Sequence, residues 1–330
     1  MHLTTDQTVP QAEPEGLSDA PKVLYIAGMT RSGTTLLDNL LNELHGFMGA
    51  GEVRTYWRAM REPRTCGCGA LVSECEFWTQ VSEWIERRHG ALPVDRALHL
   101  QRAHVRSLPL HLARLARAKG GEPSPGAEYA ELMELLYRGI AAVSGAEVVV
   151  DSSKGPHDAY VLSKFTDIDL FVVHLVRDPR GVAYSWSRRA WHPDKPGSEF
   201  ERMNASEVAI RWVSRNALTE ALLRRRLGPR YMRTRYEDLV SDPAGTIERI
   251  AAMCGARPEG PRISGGEISL GPNHSVSGNP SRLAKGSVPI RADVAWTQKM
   301  PGRAALAASL GSAPLLRRYG YPVIPKRSPR

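Results

Sequence analysis

The sequence predicts an α/β fold, a mostly parallel β-sheet flanked by helices and carrying a helical insertion. Three observations predict it. Residues 22–52 pass from a short, partly β-branched apolar run (Val23, Leu24, Tyr25, Ile26) through Gly28, Arg31, Ser32 and Gly33 into a helical leucine pattern. Two later runs, the valines within 147–151 and the segment DLFVVHLV ending at Val176, are continuously apolar, as parallel strands buried on both faces are. Segments of helical periodicity lie between these runs, the alternation a parallel sheet requires.

Taken in order, residues 1–20 are polar without a periodic apolar face and read as a flexible leader, ahead of a single domain over 21–320. After the opening strand, Thr34 and Thr35 lead into Leu36, Leu37, Leu40, Leu41 and Leu44, a helix face with Gly46 as its expected C-cap. A strand–loop–helix of this kind aims backbone N–H groups and the positive end of a helix at one point, which makes an anion site; the alternative is a glycine-rich turn that binds nothing. Gly28 to Thr35 has the Walker A spacing, but Thr34 stands where that motif has its phosphate-reaching lysine. Ordinary ATP or GTP turnover is therefore disfavoured, and the loop's own basic residue is Arg31.

Glu52 follows Gly51 where a second strand would finish. It is either a solvated or arginine-paired carboxylate, or a general base. Cys66, Cys68 and Cys75 come close together, yet no fourth cysteine or histidine follows at finger-like spacing. No metal is expected, and a Cys66 or Cys68 to Cys75 disulfide is open under oxidising conditions. Helical patterns run over 77–118 and 129–143, with Trp84, Ile85, Leu98, Leu108, Leu112 and Leu115 at core-like spacing and a turn-rich break between them. Residues 58–144 thus form the helical insertion, which shapes the acceptor site or serves as a packing layer.

Lys154 sits three residues beyond the VVV strand, where ligands of open α/β sheets gather. It is a solvated turn lysine or a donor to charge building up in a transition state. After Val176, the residues Arg177, Asp178 and Pro179 turn the chain into a helix containing Ser185; the Arg177 fork suits a phosphate dianion, the alternative being a surface Arg–Asp turn. Trp186, Trp191 and HPDKPGSEF are expected in a loop near the acceptor. A helix over 207–227, a strand over 231–235 and a helix opened by Pro243 follow, with Cys254 as a buried helix cysteine. HSVSGNPSRLAKGSVPI reads as loop, and 321–330 as a loose basic tail. There is no internal repeat.

The chain has 330 residues, 42% hydrophobic and 24% charged, and a formal charge of +9. Its pI near 9.6 favours anionic partners. No basic run is interleaved with aromatics, so nucleic acid is not expected. No apolar stretch approaches the roughly 20 residues of a membrane span, and the N-terminus lacks a basic region followed by an apolar core, so the expected location is cytoplasmic. Four cysteines are too few for a disulfide scaffold, and abundant Arg, Ala, Gly and Pro fit a GC-rich bacterial genome.

With these motifs together, TRSGTT resembles the 5′-phosphosulfate loop of sulfotransferases that use 3′-phosphoadenosine 5′-phosphosulfate (PAPS). The arginine, DPR-type turn and serine at Arg177 and Ser185 resemble the family's 3′-phosphate motif, and RYEDLVSDP a further signature whose tyrosine, here Tyr236, lies near the adenine. GEVR fits a glutamate base and DSSK a lysine, as in the carbohydrate, tyrosylprotein and bacterial small-molecule branches; the HxxY-like placement of the aryl branch's histidine is missing. The resemblance implies a P-loop-type sheet, donor contacts from Arg31, Ser32, Gly33, Thr34 and Thr35, and a C-terminal segment closing over the 3′-phosphate with Arg282, Lys285 and Gly286. It also implies sulfuryl transfer to a hydroxyl or amine of a small molecule, glycan or natural product, with 3′,5′-adenosine bisphosphate (PAP) as product. The rivals are a P-loop small-molecule kinase and a noncatalytic nucleotide- or polyanion-binding module.

Overall fold

The opening strand β1 (Lys22–Gly28) is the middle of a five-stranded sheet. With β2 (Phe47–Gly49), β3 (Val148–Lys154), β4 (Asp169–Val176) and β5 (Tyr231–Arg235), the order is β2-β3-β1-β4-β5, and every pairing is parallel. The structure is a computed structural model that describes residues 20–104, 124–189, 199, 201–257, 259–260 and 263–324. The leader 1–19, Leu108, Leu112, Leu115, Trp191 and the end of the basic tail lie outside the described residues.

The two-residue period of a strand sorts the apolar runs between two cores. Val23, Tyr25, Ala27, Val149 and Val172 face a layer built by the insertion and the turn that leads into it, where Trp57, Trp78, Ile85, Leu136 and Ile140 are fully buried. Leu24, Ile26, Val148, Val150 and Val173 face Leu37, Leu40 and Leu41 of the first helix, together with Ile247 and Ile250. That division is why VVV is an unbroken run.

Helix α1 (Thr34–Asn42) starts from Gly33 at φ 92° and ends at Glu43. Gly46, at φ 79°, lies beyond its end and turns the chain into β2 rather than capping the helix. The helical pattern read over 77–118 is broken: helices span Glu76–His89 and Val94–His104, separated at the left-handed Gly90. A further helix among the described residues of the insertion, Pro125–Ser144, is capped by the Ser124 side chain. The helix expected over 207–227 begins earlier, at Ala205, because Asn204 and Glu207 make a reciprocal capping box, and it passes into a π-helical turn at Glu220–Arg224.

Two elements were not anticipated. A small antiparallel sheet joins β6 (Ile263–Ser264), β7 (Glu267–Leu270) and β8 (Gly286–Pro289), and a C-terminal helix, Gly302–Arg318, packs on Ala205–Thr219 through a third core around Trp212 and Leu316. Tyr321, placed by sequence in the loose tail, is buried, and its hydroxyl donates to Glu237 at 2.7 Å. No described helix is long and apolar enough to cross a membrane.

Candidate active site

The carboxyl ends of β1, β3 and β4 lie side by side, so whatever follows each strand meets at one edge of the sheet. Ala27 pairs with Lys154, Gly28 with Leu175, and Val176 with Arg235, which leaves Arg177 and Tyr236 one step beyond the last paired positions. Glycine is required in the loop between β1 and α1. A Cβ on Gly28 would stand 2.4 Å from the Leu175 carbonyl oxygen, and one on Gly33 would stand 2.5 Å from the Tyr236 ring.

This edge opens into a cavity of about 390 Å³. Arg31, Gly33, Thr34, Thr35, Glu52, Lys154, Arg177, Ser185 and Tyr236, all read from sequence as site residues, line it. Among the described residues only two non-glycine residues have positive φ, Arg31 at 73° and Lys154 at 70°, and both are in this lining. Left-handed backbone at non-glycine positions costs free energy that the surrounding fold must offset, and such outliers cluster at functional sites. Lys154 is the last residue of β3, its ammonium buried, donating to Glu52 Oε1 at 2.5 Å and to the Ser152 carbonyl at 3.0 Å. Glu52 is thus paired with a lysine rather than an arginine.

Arg177 spans the other side. Its guanidinium lies 4.5 Å from the Tyr236 ring centroid, donates to the Arg31 carbonyl at 3.1 Å, and meets the Asp293 carboxylate at 3.0 Å. Its own carbonyl accepts from the Trp212 indole, while the next residue, Asp178, is clamped by buried Arg180. Arg31 faces Trp186 at 5.7 Å, and burial lowers the pKa of its guanidinium. Ser32 does not line the cavity; its buried Oγ has no hydrogen-bond partner among the described residues.

The C-terminal segment contributes different residues from those read off the sequence. Gly278, Asn279, Ser281 and Asp293 line the cavity. Arg282 is fully buried with Nη2 on the Thr65 carbonyl, Lys285 donates to the Cys68 carbonyl, and Gly286 opens β8. The segment is held against the site by Glu52 N–H donating to the Ser277 carbonyl and Asn39 donating to Ser281.

Two buried carboxylates behind the cavity went unnoticed in the sequence. Asp151 accepts from Val53 N–H, Ser153 and Tyr137, which ties the turn carrying Glu52 to the end of β3. Burial raises its pKa to about 6 against those hydrogen bonds. Asp38 breaks the leucine face of α1 and accepts from Ser152 Oγ at 3.3 Å. Burial, then repulsion from Asp151, push it up to about 7, while Lys154 pulls the other way. An acid whose pKa is raised by folding keeps its proton in the native state while the unfolded chain, with a carboxyl pKa near ~4, has lost it. Asp38 therefore contributes a fall in stability as pH rises from about 4 to about 7, level above that. Asp38→Asn should stabilise the protein by roughly 1–3 kcal/mol at pH ~8 and by little at pH ~4.5, measured by urea unfolding at both.

Residues 23–259 match the family described as Sulfotransferase family. Among the solved structures that match, two sulfotransferase domains are similar over nearly the whole chain. The sulfotransferase domain from the Synechococcus PCC 7002 olefin synthase is 19% identical, covers 95% of this chain and 99% of its own, and superposes with a TM-score of 0.50. The sulfotransferase domain from the curacin biosynthetic pathway is 15% identical over 92% of this chain and 99% of its own, with a TM-score of 0.50. No curated protein matches the chain in sequence.

Proposed function

The chain belongs to the sulfotransferase family, and on that premise we propose that it moves a sulfuryl group from PAPS to a hydroxyl or amine of a small-molecule or glycan acceptor, with Glu52 as the base. The observation that carries this is the convergence of the Arg31 loop, Lys154, Glu52 and Arg177 on one cavity at the ends of three parallel strands. PAPS is consumed in each turnover and is a substrate. Its charge at both ends of the ribose matches a cavity whose cations are Arg31, Lys154 and Arg177. The first N–H groups of α1, which no intrahelical carbonyl can satisfy, supply an anion site beside them.

In the proposed reaction the acceptor oxygen attacks sulfur as its proton passes to Glu52. The new O–S bond forms while the bond from sulfur to the bridging phosphate oxygen breaks, and PAP leaves with that electron pair. Lys154 has three N–H donors, two of them committed to Glu52 and Ser152. The third is available for the bridging oxygen or a sulfuryl oxygen, where negative charge grows. Arg31 and the N–H groups of residues 32–35 face the same charge, while Arg177 and Ser185 take the 3′-phosphate beside the Tyr236 ring.

Asp293 now holds the Arg177 fork that a 3′-phosphate would take. Asp293→Asn should tighten PAP up to about fivefold, since a partly exposed ion pair is worth at most ~1 kcal/mol; titration calorimetry reads the change. The function itself is tested by offering ³⁵S-labelled PAPS or γ-labelled ATP with a panel of phenols, alkyl alcohols, sugars and tyrosine peptides. Label should move from PAPS alone. Movement from ATP would favour a kinase, and donor binding with no transfer to any acceptor class would favour a noncatalytic module.

A further inference from the structure

Cys66, Cys68 and Cys75 gain in space the fourth ligand they lack in sequence. His274, 199 residues beyond Cys75, points Nδ1 at the Cys75 sulfur at 3.2 Å and at Cys66 at 3.9 Å. Cys75 lies 3.7 Å from Cys66 and 3.7 Å from Cys68, and all four ligand atoms fall within 4.8 Å of one another. A tetrahedral zinc ion with Zn–S near 2.3 Å and Zn–N near 2.0–2.1 Å sets S···S edges of about 3.8 Å and S···N edges of about 3.6 Å. From these distances we propose that Cys66, Cys68, Cys75 and His274 form a structural Cys₃His zinc site.

The surroundings are those of a built site. Cys66–Gly67–Cys68–Gly69 is a tight knuckle in which Cys66 N–H donates to the Ala70 carbonyl and Gly69 N–H to the Cys66 carbonyl. Gly67 is forced, because a Cβ there would lie 1.7 Å from Asn273 Oδ1. Cys75 is presented by the N-terminus of the helix Glu76–His89. The His274 ring is fixed by stacking on Phe77, with centroids 5.0 Å apart, and by the Trp78 indole donating to its carbonyl. A single disulfide would strand the third thiol and the imidazole, and Cys75 is equidistant from its two neighbours, so the geometry prefers neither pair. Three thiolates with one imidazole are a soft donor set that selects zinc over magnesium or calcium.

The ion closes a loop between the insertion and the segment 273–281, whose Gly278, Asn279 and Ser281 line the cavity and whose Ser277 carbonyl holds Glu52 N–H. It is a staple behind the site and takes no part in the transfer.

The test is the metal content of the full chain, expressed with added zinc and purified under reducing conditions without chelator. About one zinc per chain is expected by plasma mass spectrometry, with loss in Cys75→Ser and in His274→Ala. Those variants remove packing as well as ligands, so wild-type protein grown with cobalt supplies a second reading that does not depend on their folding. It should show the intense visible bands of a thiolate-rich tetrahedral site, and zinc should bleach them. Zinc below about one-tenth per chain, together with reduced protein that takes up neither zinc nor cobalt on titration, would overturn the assignment.

Discussion

Replacing Lys154 by alanine should lower the turnover rate by about 10²–10³-fold while leaving the dissociation constant of PAP within about threefold of wild type. The reason is placement. The ammonium is held between Glu52 and the Ser152 carbonyl at the end of β3, on the side of the cavity where the bridging oxygen would sit, whereas the 3′-phosphate is assigned to Arg177 and Ser185 across the cavity. A group that meets charge only as it develops adds to the rate and little to ground-state binding. The left-handed backbone at Lys154 sharpens the expectation: alanine keeps the Cβ that makes this conformation costly and gives up the ammonium that uses it. Single-turnover kinetics beside calorimetric PAP titration separate the two quantities. Equal losses in rate and binding would remove Lys154 from the transition state and make it a simple anion clamp.

Glu52→Gln should cost about 10²–10⁴-fold in rate, again with PAP affinity retained. Glutamine keeps the shape and can still accept from the Lys154 ammonium, so the turn fixed by Ser277 and Asp151 has no reason to move. What is lost is the ability to take the acceptor's proton. The loss should shrink for acceptors of low pKa, such as dinitrophenols, because these arrive already ionised at neutral pH and need no base. Full activity of Glu52→Gln toward an alkyl alcohol would assign the base elsewhere.

The features legible in the sequence were those with short-range causes. Apolar runs bounded by turn residues located the strands, and closely spaced glycines marked the loop, so Arg31, Lys154 and Arg177 could be named from local spelling, while Thr34, Thr35 and Tyr236 were named by the resemblance of their motifs to the family's. Elements that depend on distant partners were not legible. His274 completes the cysteine cluster from 199 residues away, and no ligand-spacing rule reaches that far. Likewise Arg282 and Lys285 are the conspicuous charges of their segment, yet they are spent on the carbonyls of Thr65 and Cys68. The uncharged Gly278, Asn279 and Ser281 face the cavity instead. Asp38 carried a readable signal, an acid interrupting a leucine face one helical turn after Thr34 and Thr35, which point at the same cavity. The short antiparallel sheet was missed because its strands are only two to four residues long and lie among glycines and serines, so that the alternation of buried Ile268 and Leu270 with exposed neighbours is too brief to stand out from loop.

In the proposed function one nucleotide with phosphates at both ends of its ribose is held across this cavity, the 3′-phosphate on Arg177. The most direct measurement is calorimetric titration of wild type and Arg177→Ala with PAP and with adenosine 5′-monophosphate, which differs by lacking the 3′-phosphate. Wild type should prefer PAP by about 10- to 100-fold, the worth of charge-assisted hydrogen bonds, and Arg177→Ala should erase that preference while binding the monophosphate within about threefold of wild type. Loss of both ligands to the same extent, or a wild type that does not distinguish them, would contradict the account.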